Sequence, residues 1–163
     1  MPIPFLESRD LSTANNYIPA MEHKHNNCEI ILFVKGDATH VANGKAEKAG
    51  IGDICFVSAS ATHAILDTSE NHEHRDVYIS LDRLEGLCRN LFDRDFFDYL
   101  VRARDAVKIK ADSDGFAAIL SHLARLEMKD RLGHFDHNPN AYHSCILSVI
   151  ADILGMCYEE MHS

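Results

Sequence analysis

The spacing of apolar positions changes near residue 80. From about residue 17 to 80 the apolar positions come in short runs, each stopped by turn residues. Glu29 to Val34 is β-branched and apolar and halts at Lys35-Gly36-Asp37. Ala38 to Ala42 and Lys45 to Ala49 flank Asn43-Gly44, the strongest two-residue hairpin signal, because both residues tolerate positive φ. Ile54 to Val57, Thr62 to Leu66 and Asp76 to Ser80 complete a set of short strands, as expected of a sandwich or small barrel. Ile30 to Val34 is apolar on both faces, so its outer face needs a cover, and helices are the economical source. Ile31 and Phe33, in phase with Glu29, are expected to point inward, and Ile30, Leu32 and Val34 outward.

From 81 to about 161 the apolar residues recur at helical spacing. Asp82-x-x-Glu85 reads as a capping box before Leu84, Leu87, Cys88 and Leu91. Phe116, Ile119, Leu120 and Leu123 mark a second helix that fades before Gly133, and Asn138-Pro139 lies in a polar loop. Ala141 to about Met161 forms a third, with Ile146, Ile150, Ile153 and Cys157 on one face and Leu147, Leu154 and Met161 beside them. A barrel wall, the second helix or a partner subunit would each cover that stripe. The expected plan is one domain over 1–163, mainly β, with strands over 1–80 and helices over 81–163.

Composition narrows the functions. The chain has 163 residues, 46% hydrophobic and 25% charged, enough for a sizeable core. No apolar run approaches a membrane span, and MPIPFLESRD lacks the features of a secretory leader, so a cytoplasmic protein without membrane contact is expected. The five cysteines, Cys28, Cys55, Cys88, Cys145 and Cys157, are scattered and read as free thiols. A formal charge of −9 makes this chain alone a poor ligand for nucleic acid. Histidine, at 11 residues, is the compositional oddity.

The histidines direct attention to His23-Lys24-His25-Asn26-Asn27-Cys28-Glu29. Strand residues of equal parity share a face, so His23 and His25 lie together, and Glu29 joins them if the strand stays in phase. Two imidazoles and a carboxylate suit a first-row metal once a further donor arrives, and His63 is the candidate. His72-Glu73-His74 reads as loop histidines, as do His134, His137 and His143 around Asn138-Pro139. No phosphate-binding glycine loop, nucleophile elbow or Cys₄ zinc pattern is present, and no catalytic residue is assigned.

At these residues the chain resembles the cupin superfamily. His23-x-His25-x3-Glu29-x6-Gly36 matches the family's first motif from the first His onward, with Tyr17 where a Gly would lead it. Gly52-x5-Ser58-x-Ser60-x2-His63-x3-Asp67 keeps the spacing of the second, with Ser for Pro, Ser for Gly and Asp for Asn. The resemblance implies a jelly-roll barrel with His23, His25, Glu29 and His63 as inward ligands to a divalent metal such as zinc, iron, manganese or nickel. A narrower resemblance covers nearly the whole chain. Glu29-Ile-Ile-Leu-Phe-x-x-Gly36, Asn43-Gly44-Lys45, Gly52-Asp53-Ile54, His63 and Val77-Tyr-Ile-Ser80-x-x-x-Leu84 look like the N-terminal sensor domain of AraC-type transcription regulators. That implies a domain binding a small, sugar-like effector, with Ile31 and Phe33 among its contacts. It also implies a homodimer through the helices, and DNA contact only through a reader domain absent from this chain. The competing reading is a metal-dependent cupin enzyme, a sugar isomerase or dioxygenase.

Overall fold

The computed structural model describes residues 11–16, 20–23, 27–103 and 106–163, with side-chain surroundings described over 27–102 and 106–163. It divides into two compact units, 1–110 and 111–163.

Among the described residues the first unit holds nine strands: β1 (Leu11–Asn16), β2 (Ala20–His23), β3 (Cys28–Lys35), β4 (Asp37–Ala42), β5 (Lys45–Gly50), β6 (Asp53–Val57), β7 (His63–Leu66), β8 (Glu73–Ile79) and β9 (Ala106–Lys110). They form two antiparallel sheets, ordered β1-β8-β3-β6-β9 and β2-β7-β4-β5. The β4–β5 hairpin turns where expected: Asn43 has φ 47° and Gly44 φ 82°, the left-handed pair that a tight hairpin requires. The Asn43 side chain accepts from the Thr62 amide at 2.9 Å, tying this turn to the start of β7.

Register sorts the faces. Glu29, Ile31 and Phe33 on β3 stand opposite Tyr78, Asp76 and His74 on β8, and Ile31 stands opposite Cys55 on β6. One apolar cluster joins Ile31, Phe33, Cys55 and Val57 of the five-stranded sheet to Ala38, Ala49 and Ile65 of the other, so these faces meet in the interior. Ile31 and Phe33 therefore point inward, as their parity requires. Ile30 and Leu32, on the opposite face, are also fully buried. Cys28 shares that outer face. Helix α1 (Leu81–Leu91) follows β8 and buries Leu84 and Cys88; burial chiefly raises the Cys88 thiol to about 12, with Asp93 and Cys28 adding to it.

Three details differ from the sequence reading. Residues 81–163 are not uniformly helical. After α1, α2 (Arg94–Asp98) and a π-helical turn (Tyr99–Ala103), β9 pairs with β6 at the edge of the larger sheet. Its sequence, Ala-Val-Lys-Ile-Lys, alternates with period two, and Val107 and Ile109 are buried. The N-cap of α1 is Ser80, whose hydroxyl accepts from the Arg83 amide at 3.3 Å, while Asp82 sits in the first turn beside the positive helix end. Asn138 caps the last helix and Pro139 occupies its first turn, so this pair starts a helix instead of sitting in a loop.

The second unit is a helix pair, α3 (Ser113–Arg131) and α4 (Pro139–Met161). Asp112 caps α3, accepting from the Gly115 amide at 2.8 Å. On α4, Ile146, Val149, Ile150, Ile153, Leu154 and Cys157 are buried. Helix α4, at 23 residues, is long and apolar enough to cross a membrane by length and composition, a test that buried core helices also pass. The expectation that no run reaches that length is corrected accordingly.

Candidate functional site

The interior between the two sheets holds more polar groups than an apolar core tolerates without pairing. Glu29, His40, His63, His72, His74 and Asp76 are all buried. They form two chains of close polar contacts, and Phe33 lies near members of both. Its ring centroid lies 6.4 Å from His40 and 6.2 Å from both His72 and His74.

The first chain runs from Glu29 through His63 to His40. The Nε2 of His63 lies 2.7 Å from Oε2 of Glu29. The other ring nitrogen, Nδ1, lies 3.2 Å from Nε2 of His40. The Glu29–His63 contact is at ion-pair distance without hydrogen-bond alignment, whereas between His63 and His40 one ring nitrogen donates and the other accepts. Three strands meet here: Glu29 comes from β3, His40 from β4 and His63 from β7. The β4–β7 register sets His63 opposite Ala42 and Ile65 opposite His40.

The second chain runs along β8. His72 Nε2 and His74 Nδ1 are 2.8 Å apart. His74 Nε2 lies 3.7 Å from Oδ2 of Asp76, and the Tyr78 hydroxyl donates to the same oxygen at 3.4 Å. Burial pushes the His74 imidazole down to about 3, the neighbouring His72 pushes the same way, and the Glu29 carboxylate opposes them. His72 is lowered as well, chiefly by burial. Both rings are therefore neutral at ordinary pH.

Of the four family-type metal donors, the fold brings Glu29 and His63 into contact. His23 is the direct register partner of His63 across β2–β7, and His25 lies outside the described residues. Among the described residues no group of three or more His, Cys, Asp or Glu is arranged to hold a metal. Ile31 and Phe33 belong to the apolar cluster of the interior.

Two features escaped sequence reasoning. His72 and His74 read as loop residues but are buried, because β8 begins at Glu73 and its parity turns His74, Asp76 and Tyr78 inward. His40 was not singled out, although Ala38, His40 and Ala42 alternate as the buried positions of β4. That alternation was legible once Asn43-Gly44 had fixed the register.

Beside the first chain a cavity of about 540 Å³ opens, lined by His40, Ala42 and Asn43, by Lys45 and Glu47 of β5, by Cys55 of β6, and by Ala106 and Lys108 of β9. Glu47 is the register partner of His40, Lys45 of Ala42, and Lys108 of Cys55. Pairing thus delivers polar side chains from both sheets to one space.

Comparison with solved structures finds the same architecture. The AraC-like transcriptional activator CuxR superposes with a TM-score of 0.60 at 11% identity, over 91% of this chain and 52% of that one. Apo ToxT K231A from Vibrio cholerae strain SCE256 gives 0.53 at 11% identity, over 83% of this chain and 58% of that one. ToxT from Vibrio cholerae O395, bound to (E)-4-(8-methylnaphthalen-1-yl)but-3-enoic acid, gives 0.53 at 12% identity, over 72% and 48%. The chain thus spans little more than half the length of CuxR and of apo ToxT. No curated protein sequence matches it significantly. The AraC-like ligand binding domain profile matches residues 14–135, more than half of the chain. With two antiparallel sheets, a polar interior cavity and trailing helices all in place, this chain belongs to the AraC-like ligand-binding domain family.

Proposed function

We propose that this chain is the effector-receiving domain of an AraC-type transcription regulator. A small polar, sugar-like molecule enters the cavity beside His40, and its occupancy biases the helical unit. Dimerisation belongs to those helices, and DNA contact to a reader domain outside this chain. The observation carrying this reading is the cavity itself, with His40, Asn43, Lys45, Glu47 and Lys108 converging on it. A few placed polar groups in a concave site are what orient a small ligand. Differential affinity for two states of the domain is what would let that ligand act as a signal.

The test is a thermal-shift and calorimetric screen of purified protein against sugars and their derivatives. A binder is then retested on Ala42→Trp, which fills the cavity. Binding to the native chain that disappears in Ala42→Trp, with unchanged circular dichroism, supports the reading. Binding that Ala42→Trp leaves intact refutes it.

A second reading rests on the Glu29–His63 contact. In it, His23, His25, Glu29 and His63 hold a divalent metal, which would supply a Lewis acid in the interior. The part of this chain is then to present three imidazoles and one carboxylate, with His40 orienting His63 through its second nitrogen. Elemental analysis of protein purified without metal resin decides it. A stoichiometric metal lost in Glu29→Gln favours this reading, and metal-free protein that still binds effector removes it.

A further inference from the structure

The cavity wall carries a cation beyond what the fold needs. Asp53, buried at the start of β6, accepts from the Gly50 amide at 2.8 Å. Two lysines of β9 flank it: Lys110 Nζ at 3.6 Å and Lys108 Nζ at 3.8 Å. Lys110 is anchored further by the Ile51 carbonyl at 2.5 Å. A buried carboxylate with one ammonium and one amide is already compensated. Lys108 is the second ammonium, and of the two lysines it is the one that lines the cavity. Its amine also donates to the Lys48 carbonyl, which fixes its position. An ammonium has three protons, so one remains for a ligand after the contacts to Lys48 and Asp53. Across the cavity Lys45 and Glu47 pair with each other at 3.5 Å and largely cancel. In a chain of net charge −9, this cavity therefore presents a net positive wall.

We propose that Lys108 anchors an anionic group of the effector, so that the ligand is a hydroxylated organic anion, carboxylate or phosphate, and not a neutral sugar. The inference rests on the effector reading above and sharpens it. A charge-assisted contact in a half-enclosed site favours the anion over its neutral counterpart by about tenfold or more. The position of Lys108 also matters. β9 lies at one edge of the larger sheet, and only Ala111 and Asp112 separate it from α3, so a ligand held there acts on the strand that leads into the helical unit.

The experiment measures calorimetric affinity for gluconate, glucuronate and glucose 6-phosphate against glucose and sorbitol. It compares the native chain with Lys108→Met, Lys108→Arg and Lys110→Met. Lys108→Met keeps Asp53 paired to Lys110, so the fold is retained, and circular dichroism checks it. The expected result is an anion preference of about tenfold or more in the native chain. That preference is lost in Lys108→Met, kept in Lys108→Arg and kept in Lys110→Met. The carboxylate and phosphate arms tell which anion fits. Neutral sugars bound as tightly as anions, or a preference that survives Lys108→Met, overturns the proposal while leaving the effector reading intact. No binding of either class to the native chain removes both.

Discussion

Glu29 and His63, from strands of different sheets, meet at 2.7 Å in the interior, with side chains only 4% and 1% exposed. Two consequences follow from such a contact in a low-dielectric space: each partner needs the other, and neither can be replaced by an apolar group alone. Glu29→Ala leaves His63 buried without its carboxylate neighbour and should cost about 2–3 kcal/mol of stability. Glu29→Gln keeps a polar group of the same size there and should cost about 1 kcal/mol. Urea unfolding followed by circular dichroism measures both, and equal effects of the two substitutions would show that the contact contributes little.

His74 makes stability depend on pH. Its folded pKa is about 3, and the unfolded chain returns to about 6.5. Between those values the unfolded chain binds more protons, so stability is full above about 6.5 and falls as pH drops through that value. From pH 7 to pH 5 the loss from this group is about 2 kcal/mol, and His72, lowered in the same sense, adds to it. His74→Gln should flatten the dependence by that amount relative to the native chain. Urea midpoints at pH 7 and pH 5 measure it, and parallel losses in both proteins would contradict the assignment.

The strand unit ends at Lys110, not near residue 80. A chain ending at Lys110 should keep its β-type circular dichroism and unfold cooperatively. A chain ending at Ser80 lacks β9 and α1, and so exposes the edge of β6 with Ile54 and Phe56, both fully buried in the native fold. An uncovered apolar edge pairs with its neighbours, so that shorter chain should aggregate. Size-exclusion chromatography of the two distinguishes them, and a soluble, monomeric 1–80 would show that β9 is dispensable.

Much of the architecture was legible in the sequence because it depends on local rules. Asn43-Gly44 announced the hairpin, and the apolar run after Glu29 announced the central strand with its inward Ile31 and Phe33. The cupin-like spacing marked Glu29 and His63 as candidates, but their contact at 2.7 Å is a product of the fold. β9 was missed because five alternating residues amid helical periodicity are a weak local signal, made a strand by an open edge on β6. His72 and His74 looked like loop residues because polar neighbours surround them, and only pairing with β3 shows that the strand starts at Glu73.

Sequence alone thus determined strand parity, turn positions and which residue types lie near each turn, since these follow from backbone sterics and period-two alternation within a few residues. Tertiary structure alone decided that His40, Lys108 and Glu47 share a cavity, that His63 reaches Glu29, and that Asp53 holds two lysines. Those relations depend on which strands become neighbours and in what register. Register is set by hydrogen bonding and burial across the whole sheet, which no short stretch of sequence contains.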